Sequence, residues 1–186
     1  SGRGLVHIEV TAEKIQRKFN VGMDIETPKV AYRETFKKKI RVQGKHKKQS
    51  GGHGQYGDCW IVLEPLTKGS GFEFVDKIVG GVIPKNYIPA VEAGVREASQ
   101  AGILAGFPCV DFRVTVDFGS YHSVDSSEMA FKMAGTLAFK KAAVDAKATL
   151  LEPVMKIAVK VPEDSTGDIM GDLNSRRGRV LGMDSE

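Results

Sequence analysis

The sequence predicts an α/β (α+β) fold: one complete domain, about residues 27 to 150, between two incomplete βα pieces. Three observations carry that expectation. Val110, Phe112, Val114, Val116 and Phe118 alternate with Asp111, Arg113, Thr115 and Asp117, the pattern of a half-buried strand. Ile88, Val91 and Val95 fall on one side of a helix spanning Tyr87 to Ala101, with Pro89 tolerable in its first turn. Asp125-Ser126-Ser127-Glu128 then offers an N-cap acceptor with an acid three residues on, ahead of Met129, Met133, Leu137 and Val144. That spacing predicts a helix capped by Asp125, running to about Lys147 with its methionines in the core.

The remaining elements follow in chain order. Leu5 to Val10 alternates and reads as a strand carrying His7, Thr11 to Phe19 as a helix, and Val21 to Ile25 as a second strand. Thr27-Pro28 punctuates, and a basic strand is expected over Phe36 to Val42. Cys59-Trp60-Ile61-Val62-Leu63 is a compact apolar run, and Phe72 to Val79 follows the Gly69-Ser70-Gly71 turn as another strand. After Pro153 the alternation of Met155, Ile157, Val159 and Val161 predicts a strand. A helix near Asp168 to Ser175 and a strand entered over Arg179 to Gly182 complete this last piece.

The 186 residues carry a net charge of only +4, which establishes no nucleic-acid partner. Its distribution is more informative. Lys37, Lys38, Lys39, Arg41, Lys45, Lys47 and Lys48 fall within twelve positions, and no acid lies between Glu34 and Asp58. Such a run is either a solvated face or an electrostatic footprint for phosphates. Cys59 and Cys109 lack metal-ligand spacing and suit a reducing compartment. No apolar run approaches the ~18 residues of a membrane span. Ser1-Gly2-Arg3-Gly4 is no signal peptide, and the chain reads as an excised piece of a cytosolic protein.

Gly52, Gly54 and Gly57 spell G-x-G-x-x-G, the pattern of a dinucleotide-binding turn. Such a turn must leave a strand and open a helix, so that pyrophosphate meets free N–H groups. Here Asp58 onward is β-branched and aromatic, and Lys47-Lys48-Gln49-Ser50 is too polar for a buried parallel strand, so the context fails. A strand-loop-strand remains. Either the glycines make a wide hairpin, or they let the backbone approach a nucleic acid, with Gln55 to hydrogen-bond and Tyr56 to stack.

Catalytic motifs are absent from the sequence, including G-x-x-x-x-G-K-[ST], so the chain carries no P-loop. His122, Asp125 and Ser126 lie within five residues of one another, too local for a catalytic triad. His46 and His53 extend the basic, polar character of their segment. His122 belongs to the loop Gly119 to Val124, which leads into a helix N-terminus favourable to a phosphate.

The segments "SGGHGQYGD", "GGVIPKNYIPAVEAG", "AGFPCVDFRVTVDFGSYHSVDSSEMAFKMA" and "EPVMKIAVKVPEDSTGDIMGDLNSRRGRVLGMDSE" together closely resemble bacterial elongation factor G. The resemblance spans essentially the whole chain. It implies that 1–26 ends a ferredoxin-like domain III, that 27–150 is domain IV, and that 151–186 opens a ferredoxin-like domain V. Domain IV would be a βαβ domain like the second domain of ribosomal protein S5, with a left-handed crossover, against the usual hand. Its tip would enter the decoding centre of the small ribosomal subunit and contact transfer RNA and messenger RNA during translocation.

By motif match the tip loops are Ser50 to Gly57, with Gln55 at its apex, and Ser120 to Asp125. The implied nucleic-acid contacts are His53, Gly54, Gln55, Tyr56, Ser120, Tyr121, His122 and Ser123, with Lys37, Lys38, Lys39, Lys45, Lys47 and Lys48 neutralising phosphates. His53 stands where arginine is common in the family, implying a weaker or pH-dependent phosphate contact. The resemblance further implies a cytoplasmic monomer whose parent is a GTPase, with GTP and magnesium in a domain outside this chain. This piece itself would hold no cofactor, metal, small-molecule substrate or membrane. A recycling-specialised or organellar paralogue, or a stand-alone RNA-binding module, is the alternative.

Overall fold

The computed structural model describes residues 5–26, 29–49, 52 and 54–184. Two compact units divide the chain, Ser1–Pro153 and Val154–Glu186.

The first unit opens with helix α1, Leu5–Phe19, not with the expected strand-helix pair. Val6, Ile8 and Val10 do alternate, but Leu5, Ile8, Ala12, Ile15 and Phe19 also recur every three to four residues. With no breaker before Asn20, the longer helical repeat governs. Asn20 ends it with φ 53°, its N–H donating to Gln16 O at 2.8 Å. Val21 to Ile25 forms no strand, because its alternation meets no partner strand among the described residues.

Strands β1 (Arg33–Thr35), β2 (Ile40–Lys48), β3 (Gln55–Pro65), β4 (Phe72–Asp76), β5 (Phe112–Ser120) and β6 (Thr149–Leu151) build two sheets. β1 pairs antiparallel with β6, and the larger sheet has the order β2-β3-β5-β4. Helix α2, Ile88–Ala101, joins β4 to its parallel neighbour β5, and α3, Glu128–Asp145, follows β5. The basic strand thus starts four residues later than expected. Lys37 and Lys38 sit in the turn before it, both backbone N–H groups donating to Ala146 O. The strand also runs on through Lys48. Its polarity is tolerated because β2 is an antiparallel edge strand, where lysines discourage further pairing.

One face of the large sheet is covered by α3, and α2 packs on α3. Phe112, Val114 and Val116 join Ile61, Leu63, Val91, Val95, Phe131 and Phe139 in the core. α3 lies close because it turns Ala130, Ala134, Ala138 and Ala142 inward against strand glycines. A Cβ at Gly44 would collide with Ala134 and Ala138, and one at Gly57 with the Ala130 carbonyl. Met129 and Met133 are therefore not core, as expected from their spacing, but exposed, Met129 by 60%. The small residues beside them own the tight face. Cys59 and Cys109 are free and buried, and burial pushes both thiols up to about 12, which keeps them unreactive.

Glu34 clamps the base of this unit. Its fully buried carboxylate accepts N–H groups from Ile103 (2.7 Å), Leu104 (3.0 Å), Ala105 (2.9 Å) and Phe107 (3.2 Å). Burial alone would raise its pKa. The four backbone bonds outweigh that and hold it below the ordinary carboxylate value.

In the second unit, α4 (Thr166–Ser175) covers the expected helix near Asp168 to Ser175. The strands expected over Met155 to Val161 and Arg179 to Gly182 are absent, since neither pairs with another strand among the described residues.

Candidate nucleic-acid interface

β2 and β3 carry the β2–β3 connection to the end of the sheet where β5 also finishes, so the two sequence-predicted loops meet. Ser50, Gly51 and His53 lie outside the described residues. Gly54 packs under the Asp125 carboxylate, which a Cβ there would strike at 2.8 Å. Gln55 is not an apex. It is the first residue of β3, paired with Lys48, because the strand already begins inside the glycine motif. Its Oε1 accepts from His46 Nε2 at 2.8 Å. Gly57 likewise serves strand packing rather than a supple loop, and a strand stands where a dinucleotide turn needs a helix.

Tyr56 joins the loops. Its N–H donates to Asp125 O at 2.8 Å, and its carbonyl accepts from Ser126 Oγ at 2.9 Å. The same Ser126 Oγ accepts the His122 N–H at 2.8 Å, so one hydroxyl ties the β5–α3 loop to the start of β3. The Tyr56 hydroxyl meets Ser120 Oγ at 2.7 Å, and Ser120 donates onward to Asp58 Oδ2 at 2.7 Å. Asp58 Oδ1 accepts from Gln43 Nε2 at 2.7 Å. A carboxylate only accepts, so the Ser120 proton goes to Asp58 and the tyrosine donates to Ser120.

His122 is held by its own loop. Nδ1 accepts the backbone N–H groups of Val124 (3.3 Å) and Asp125 (3.1 Å). The neutral ring therefore carries its proton on Nε2, leaving that donor to bond outside the loop. The side chain is 53% exposed, and Asp125 Oδ2 stands 3.5 Å from Nδ1. Tyr121 and Ser123 flank it at the surface. Asp125 is not the helix cap. Ser127 is, accepting the Ala130 N–H at 3.2 Å, because Ser127 directly precedes the first helical residue. The start of α3 is thus filled by its own cap and by Glu128 in its first turn, and His122 is what the loop presents.

The lysine run divides. Lys45, Lys47 and Lys48 lie at the tip end of β2, opposite Asp58, Tyr56 and Gln55, with Lys45 Nζ 5.5 Å from the Tyr56 ring centroid. Lys37, Lys38 and Lys39 precede the other end of the strand. Five strand residues, Ile40 to Gly44, lie between Lys39 and Lys45, which puts the two about 20 Å apart along the strand. Lys39 there pairs with Glu64 at 3.0 Å, which, with Arg113, holds that carboxyl below its usual range.

Sequence reasoning missed Asp58, Gln43 and the bridging role of Ser126. Asp58 and Gln43 sit in β-pairing registers that no local pattern reveals. Among the described residues no three His, Cys, Asp or Glu are grouped to hold a metal ion, and no helix is long and apolar enough to cross a membrane.

Residues 28–147 match the family model described as elongation factor G, domain IV, and residues 149–186 match the elongation factor G C-terminus. A crystal structure of a protein from Thermus thermophilus aligns with 100% of this chain at 46% identity and a TM-score of 0.81. This chain spans 27% of that protein's length. With matches of that extent over a domain whose β5–α3 loop is hydrogen-bonded to the start of β3, the chain belongs to the elongation factor G family of translation factors.

Proposed function

We propose that this chain is the ribosome-contacting part of a translational GTPase that moves transfer RNA and messenger RNA by one codon. In this reading 1–26 ends domain III, 27–150 is domain IV and 151–186 opens domain V. GTP and magnesium belong to a domain outside the chain, in a cytoplasmic, monomeric parent. The observation that carries the reading is the cross-braced tip, which presents an exposed His122 donor beside the cationic end of β2.

The tip acts by shape and charge. His122 Nε2–H reaches sugar and phosphate oxygens of the codon–anticodon helix, with Gln55, Tyr121 and Ser123 around it, while Lys45, Lys47 and Lys48 offset phosphate charge. Such contacts read no sequence, which suits a factor that must accept every codon. The braced loops keep the ring in place against backward slippage of the RNA.

The test is His122→Ala in the full-length factor. Single-round translocation slows by roughly tenfold, the loss of one or two charge-assisted contacts. Ribosome-stimulated GTP hydrolysis stays largely intact. Unchanged translocation would remove the tip from the mechanism.

A further inference from the structure

The helices cover one face of the large sheet, and the other face carries an aromatic and cationic surface. Alternation from Gly44 and Gly57, which face α3, puts Arg41, Gln43, Lys45 and Lys47 of β2 on the opposite side. Tyr56, Asp58 and Trp60 of β3 share it. Phe118 would not by period alone, since it is in phase with the buried Phe112, Val114 and Val116. A bulge intervenes: Ile61 pairs with Val116 but Trp60 with Phe118, leaving Asp117 as the extra residue. The bulge turns Phe118 outward beside Trp60, 49% exposed.

The extra residue has a second effect. Asp117 Oδ2 and Oδ1 take Arg41 Nε and Nη2 at 2.8 and 3.0 Å, and this pairing raises the Arg41 pKa. The guanidinium is thereby held with its carbon 4.5 Å from the Trp60 ring centroid, while the side chain stays 47% exposed. One bulge thus displays an aromatic ring and a fixed guanidinium side by side. Toward the tip, Lys45 and Lys47 form no ion pair among the described residues: Asp58, opposite Lys45, accepts from Gln43 and Ser120, and Asp117 from Arg41. Toward the base, Lys39, Glu64, Arg113 and Glu73 close into an ion-pair network. Lysines outside ion pairs and stacking planes therefore coincide on the half of the face that runs from Trp60, where the Arg41 guanidinium lies, to the tip.

We propose that this half of the open sheet face binds single-stranded RNA, stacking bases on Phe118 and on the Arg41 guanidinium that rests on Trp60. Arginine planes and exposed aromatic rings accept bases without sequence choice, and the lysines draw the backbone. The surface extends the RNA contact proposed for the tip, on which reading it rests.

Trp60 is the chain's only tryptophan, so its fluorescence reports this face alone. The 186-residue chain is titrated with a short oligouridylate and, separately, with polyglutamate, while the His122 ring signals are followed by NMR in the same samples. RNA quenches Trp60 saturably and polyglutamate does not. Phe118→Ala weakens the RNA affinity roughly tenfold, and Phe118→Leu, which keeps the apolar bulk, does not restore it. Equal quenching by polyglutamate would assign the face to an acidic peptide and overturn the proposal, as would wild-type affinity in Phe118→Ala. Movement of His122 signals with an unquenched Trp60 overturns the sheet surface and spares the tip. If neither responds, both fall.

Discussion

Glu34 and His122 perform the same chemical act at opposite ends of the long strands. Each side chain captures backbone N–H groups of a loop that would otherwise have no partner for them. Glu34 takes four, at the base, in a site without solvent. His122 takes two, at the tip, with half its side chain in water. The buried clamp cannot be removed without orphaning donors away from water, whereas the exposed one can be removed and its donors rehydrated. The base is built for stability and the tip for presentation.

Removing the base clamp should have the largest effect. Glu34→Ala leaves several buried N–H groups unpaired and should cost about 3–5 kcal/mol in urea unfolding. Glu34→Gln keeps the shape but turns an amide N–H toward donors, and should cost about 2 kcal/mol. The sign with pH follows from the lowered pKa. A carboxylate held below its unfolded value of about 4.3 adds stability above that pH and loses it as pH falls through the lower folded value. Glu34→Gln should therefore lose less stability than the wild type on acidification from neutral to about pH 3. Parallel losses would place the acid sensitivity elsewhere.

That clamp also marks where sequence reasoning stops. α2, β3, β4, β5 and α3 were legible because each has a period and a punctuating residue. Glu34 was not, because its partners lie some seventy residues on, in a loop with no period. The tip was half legible. The motifs pointed to both loops, but Gln55 looked like a loop apex because glycines read as turns, and Gly57 is in fact a strand residue spaced for a helix. The exchange of Asp125 for Ser127 as cap shows the same limit: two acceptors two residues apart fit one pattern, and only the pairing of Asp125 O with Tyr56 decides between them.

Between base and tip, Gly57→Ala tests packing. Its Cβ must displace the Ala130 carbonyl of α3, an overpacking cost of about 1–3 kcal/mol, read as a lowered unfolding midpoint at unchanged slope. If the variant is as stable as the wild type, α3 is not pinned at this glycine. Ser126→Ala should cost less, about 1 kcal/mol, since it cuts two partly exposed bonds. Its diagnostic effect is local: faster amide exchange at His122, with exchange at Ile103 to Phe107 unchanged. Equal acceleration at both ends would mean that tip and base form one cooperative unit.

The two halves of the lysine run give the smallest effect on stability and the sharpest contrast in binding. Lys45, Lys47 and Lys48 lie at the tip end, while Lys37 to Lys39 precede the base end, where Lys39 is already engaged by Glu64. Changing Lys45, Lys47 and Lys48 together to glutamine should leave stability within about 0.5 kcal/mol, because all three are exposed on an edge strand. In RNA binding it should flatten the log–log salt dependence by about 2, the counterions no longer released at three phosphates on a single strand. The same change at Lys37, Lys38 and Lys39 should leave that slope as it was. Charge number and composition are then identical in the two variants, so any difference in slope measures position alone. Equal flattening by both would extend the RNA path over the full length of β2.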